Sequence, residues 1–267
     1  MKLNFPILGL LILLISGCQE NTDQSTVEIG VLVPENNEQK SIDGRLLLIF
    51  AKNNETEPRF QINGGLKTQV IFGMNIENHV PGQKISFDNK ALGFPVEQLS
   101  GLQEGDYYVQ ALLHVYETFQ LSTGHTVKLP MDNGEGQQWN RSPGNLYSKP
   151  FKVHIGKNGL ENFELSLDQI IPEIEEPQDT KWIKHIKFKS EKLSAFWGRD
   201  IYLGAHILLP KNFDKHPEAK YPLMIFHGHF PSDFGGFRTT PPDEDLEPVY
   251  SDRFSVDGYN IIQQEEA

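Results

Sequence analysis

The chain has 267 residues, 38% of them hydrophobic and 22% charged, with a formal net charge of −12 at neutral pH. That length suits one large or two modest globular domains, and the composition excludes a disordered chain. The acidic excess argues against a nucleic-acid partner, which would require clustered Lys and Arg to meet phosphate.

The N-terminus, "MKLNFPILGLLILLISGC", carries one positive charge at Lys2 and then an apolar run from Phe5 to Ile15. The run is shorter than the roughly 20 residues of a membrane span and fits an export signal over residues 1–17. No later stretch reaches spanning length. Cys18, the only cysteine, cannot form an internal disulfide. One reading is a plain cleaved signal with an incidental cysteine. The other follows from "ISGC", which resembles the lipobox of bacterial lipoproteins. That resemblance implies cleavage after Gly17, acylation of Cys18, attachment to a lipid bilayer and a place in the cell envelope. Several acyl chains, at about 0.8 kcal/mol per buried CH₂, would hold such a protein stably. Residues 18–26 are polar and aperiodic and read as a tether.

From 27 to 165 short strands alternate with turns. "EIGVLV", "GRLLLIFA", "TQVIFGMNI", "YYVQALLHVY" and "PFKVHI" are rich in β-branched and aromatic residues. "NGG", "VPGQ" and "LQEGD" supply the turn chemistry between them. Along Tyr107–Tyr116 one face is wholly apolar (Tyr107, Val109, Ala111, Leu113, Val115). The other is mixed (Tyr108, Gln110, Leu112, His114, Tyr116), which predicts a half-buried antiparallel strand. The expected fold here is an immunoglobulin-like β-sandwich without the disulfide. A long Gly- and Asn-rich loop, Met131 to Ser148, carries Trp139. Trp139 reads either as a loop anchor or as an aromatic platform for a sugar or a neighbouring domain.

Residues 166–181 are acidic, carry two prolines and read as a linker. The region 182–267 opens with two predicted strands, Lys184–Ser190 and Ile201–Leu209, the second stopped by Pro210. Leu223–Phe226 is continuously apolar and predicts a strand covered on both faces. It runs directly into His227-Gly228-His229-Phe230. A strand ending in His-Gly can be an ordinary turn. His227 and His229 could also begin a metal site with His206, His216, Asp233 or Asp243–Asp245, although no recognised zinc spacing is present.

In order, Leu208-Leu209-Pro210, Tyr221-Pro222 and Ile225-Phe226-His227-Gly228 resemble the opening of the esterases of the α/β-hydrolase fold, the esterase D type. The match spans about Gly198 to Phe230. The β-rich region also resembles the domain that precedes such esterases in some bacterial lipoproteins. The resemblance implies an ester substrate, no cofactor and no metal. It implies an oxyanion loop whose backbone donor is the N–H of His229 or Phe230, with Gly228 permitting close approach and His227 closing the strand. One such donor is worth on the order of 10²–10³ in rate. The family's nucleophile would sit in G-x-S-x-G. No such motif occurs here: Ser190, Ser194, Ser232, Ser251 and Ser255 all lack the flanking glycines. The expectation is therefore the N-terminal portion of a hydrolase, inactive as it stands. The alternative is a non-enzymatic surface lipoprotein that binds carbohydrate or protein through its β-sandwich, with Trp139 at the site.

Overall fold

A computed structural model of the chain describes residues 28–35, 40–87, 91–210, 212–228 and 234, with the backbone of 250–251 and 256–257. The signal segment, Cys18, His229 and Phe230 lie outside the described residues.

The chain is mainly β. Strands β1 (Ile29–Leu32), β2 (Ile42–Ala51), β3 (Val70–His79), β4 (Lys84–Phe87), β5 (Leu92–Phe94), β6 (Gly105–Gln120), β7 (Thr126–Leu129), β8 (Leu146–Tyr147), β9 (Phe151–Ile155), β10 (Phe163–Ser166) and β11 (Gln169–Ile170) build two sheets. The smaller has the order β10-β1-β4, with β1 parallel to β10 and antiparallel to β4. The larger runs β11-β8-β6-β2-β3-β5, with β7 and β9 also paired to β6. The period-2 pattern of β2 and β6 sets their register: Leu46 faces Leu113, Leu48 faces Ala111 and Phe50 faces Val109. These side chains share one hydrophobic cluster with Val31 of β1 and Phe87 of β4, so both sheets contribute to a single core. Phe50 anchors it, meeting Phe72 and Tyr107 edge-on at centroid distances of 5.9 and 6.0 Å.

The mixed face of β6 differs from the sequence expectation. Gln110 and Leu112 are fully buried, so the middle of the strand is covered on both sides. The cover is the long loop. Trp139 and Tyr147 pack on a second, smaller cluster of Leu47, Leu112 and Ile171. The chain stays on the sheet beyond residue 165, because β11 pairs with β8 and Ile171 is only 7% exposed. Its apolar "QII" thus closes the outer face before the acidic stretch begins.

Further on, β12 (Ile183–Lys189) and β13 (Tyr202–Leu208) form an antiparallel hairpin in which Phe188 faces Leu203. Between them lies a helix the strand reading passed over, α1 (Glu191–Trp197). Ser190 caps its start by accepting from the Leu193 N–H, and Gly198 ends it in the left-handed region at φ 68°. The expected buried strand at Leu223–Phe226 is not formed: Leu223 is 81% and Ile225 80% exposed, without strand geometry. Among the described residues no strand pairs with it, and Leu223, Met224 and Ile225 stay exposed.

Candidate functional site

The sequence-predicted oxyanion loop is described as far as Gly228. His227 and Gly228 follow the exposed segment 221–226 as irregular backbone. The two amides implied as donors, on His229 and Phe230, fall outside the described residues. In the hairpin of β12 and β13, the His185 and His206 rings lie edge-on at 4.8 Å. His185 Nδ1 lies 3.1 Å from the Asp179 carboxylate, and the backbone N–H of His185 donates to the same oxygen at 2.9 Å. These bonds, the backbone one foremost, hold the Asp179 carboxyl below its ordinary range. Among the described residues no group of three or more His, Cys, Asp or Glu is placed to hold a metal ion, and no helix is long and apolar enough to cross a membrane.

The second site is built by the loop 131–148 on the larger sheet. A buried polar network pins this loop. Arg59, 7% exposed, donates from Nε to Glu57 at 2.9 Å and from Nη1 to the Asn140 carbonyl at 2.8 Å. Its guanidinium lies over the Tyr147 and Phe60 rings, 4.2 and 4.4 Å from their centroids. Gln110 Nε2 donates to Glu57 at 2.7 Å and to the Ser148 carbonyl at 2.9 Å, while its Oε1 accepts the Arg59 N–H at 3.0 Å. Burial raises the Glu57 carboxyl, but the Arg59 and Gln110 hydrogen bonds outweigh it and hold the group below the ordinary carboxylate range. Further along, Asn145 accepts the Val115 N–H and donates to the Trp139 carbonyl, both close to 2.9 Å. Trp139 is thereby drawn onto Leu112 and Ile171. It is partly buried there.

Where the loop rises from the sheet it leaves an open groove of about 640 Å³ over the ends of β2 and β6. Its walls include Asp43, Tyr116, Glu117, Asn133, Ser142 and Glu173. Lys128 donates to Asp43 at 2.9 Å and the Asn78 N–H donates to the same oxygen at 2.9 Å. The Lys128 bond foremost keeps the Asp43 carboxyl low. Glu117 accepts from the Arg199 guanidinium. Arg199 follows α1, and this contact belongs to a latch between the two regions. The Phe119 and Trp197 rings meet at 5.2 Å, and the Ser122 N–H donates to the Phe196 carbonyl at 2.7 Å. No sequence pattern pointed to the groove, since its residues come from four separated segments.

Comparison with protein-family models, with curated proteins and with solved structures found no match.

Proposed function

We propose that this chain is the N-terminal part of an exported, lipid-anchored ester hydrolase, with an immunoglobulin-like sandwich ahead of the opening of an α/β-hydrolase domain. The observation that carries the reading is the ordered run Leu208-Leu209-Pro210, Tyr221-Pro222, His227-Gly228. Its support in the fold is the antiparallel hairpin of β12 and β13, in which the second strand stops two residues before Pro210. The sharing of one core by two sheets supports the sandwich. In this reading Gly228 lets the backbone approach the substrate, and an N–H from His229 or Phe230 faces the oxygen that becomes negative in the tetrahedral intermediate. A serine from a G-x-S-x-G turn would attack. Fluorophosphonate labelling of the native gene product in the membrane fraction tests this. The expected result is a labelled serine whose labelling falls at least tenfold with Gly228→Val. A native product that takes no label and cleaves no short-chain aryl ester would overturn it. The anchor is tested by mass spectrometry of the extracted N-terminus, where acyl mass on Cys18 is expected. An unmodified N-terminus elsewhere would refute it.

A second reading, a binding role for the β-rich region, is favoured by the groove beside the loop 131–148.

A further inference from the structure

We infer that the groove over the ends of β2 and β6 binds a neutral polyhydroxylated ligand, a saccharide in chemical class. The inference deepens the binding reading and is independent of the hydrolase reading. The chemistry of the walls leads to it by elimination. The lining is predominantly polar, so an apolar ligand would strip water from Asp43, Asn133 and Glu173 without replacing its hydrogen bonds. An anion would meet three carboxylates, Asp43, Glu117 and Glu173, against a single lining cation, Lys40. A simple cation is disfavoured too, because two of those carboxylates are already matched by Lys128 and Arg199.

What is left is a ligand whose groups both donate and accept. Saccharide hydroxyls do both. Carboxylates at Asp43, Glu117 and Glu173 accept, and Lys40, Asn133 and the Tyr116 hydroxyl donate. Among the described residues no hydrogen bond occupies the side chains of Lys40, Tyr116, Asn133 or Glu173, so the groove presents unused capacity on both sides. The Tyr116 ring stands edge-on to His114 at 5.6 Å, which fixes its orientation beside the groove. Trp139, packed on the Leu47, Leu112 and Ile171 cluster, is not among the residues lining the groove.

The test uses the full chain in mild detergent and saturation-transfer NMR. The probes are three neutral hexasaccharides, an α-1,4-glucan, a β-1,4-xylan and an α-mannan, with a sulfated hexasaccharide as the anionic control. Binding of at least one neutral probe is expected, with none to the sulfated one. Asn133→Ala and Glu173→Ala lie on the exposed rim and should each weaken binding about tenfold while leaving the melting temperature unchanged. Tyr116→Phe, which keeps the ring, should weaken it less than Tyr116→Ala. No signal with any neutral probe, preference for the sulfated one, or binding indifferent to both rim variants would overturn the inference. Fluorophosphonate labelling does not report on this groove, so the two readings fail separately.

Discussion

Replacing Arg59 with Ala should loosen the loop 131–148 from the sheet and lower the stability of the whole β-rich region. Arg59 is 7% exposed, and its guanidinium donates to Glu57 and to the Asn140 carbonyl and lies over two aromatic rings. Removing one partner of a buried pair costs about 3–5 kcal/mol, because the other charge stays behind uncompensated. The Glu57 side chain keeps 36% exposure, so water takes over part of its solvation and the expected loss drops to about 2–4 kcal/mol. For a chain of this size that corresponds to a fall in Tm of about 5–15 °C. Circular dichroism melts give the number, and limited proteolysis between Met131 and Ser148 reports the loop. Arg59→Lys restores the charge without the planar fork that reaches Glu57 and Asn140 together, so it should recover only part of the loss. An alanine variant melting within about 1 °C of the parent, with the loop still protected, would refute the claim that this network pins the loop.

Ending the β-rich region at residue 165 instead of 174 removes Leu167 and Ile171, 2% and 7% exposed. At about 1.5–3 kcal/mol per buried side chain, a chain of residues 28–165 should be several kcal/mol less stable in urea than 28–174, and equal midpoints would contradict the placement of β11. The Glu57 and Asp43 carboxyls both bind a proton less readily in the folded chain. Their contribution is therefore full above about pH 4.5 and is lost as pH falls through their lowered folded values. Melts from pH 6 down to 2 should show this loss shrink in Glu57→Gln, and identical pH profiles would exclude the assignment. At Gly198, φ is 68° and a Cβ would lie 2.6 Å from the Gln120 carbonyl oxygen. Gly198→Ala should therefore force α1 off β6 and speed amide exchange at Ser122, whose N–H bonds Phe196; unchanged exchange would show the latch to be unimportant.

Much of the β-rich region was legible from local pattern. The apolar run "LLLIFA" marks a strand by composition, and alternation in "YYVQALLHV" assigns an inward face, because side chains in a strand have a period of two and a one-residue slip would turn the apolar set outward. Pro210 and the caps Ser190 and Gly198 also carry local meaning, although the cap pair at α1 was overlooked between two strand patterns. Tertiary structure decided what lies above the strands. Gln110 sits at an ordinary alternating position, and only the return of the loop 131–148 buries it with Arg59 and Glu57. Leu223–Phe226 shows the converse. Its apolar run states that the segment is suited to burial, but burial is a relation to other elements, and Leu223, Met224 and Ile225 remain exposed. The groove depends on tertiary structure in the same way. Asp43, Glu117, Asn133 and Glu173 lie far apart along the chain, and their convergence follows from strand pairing and loop closure, which no local periodicity encodes.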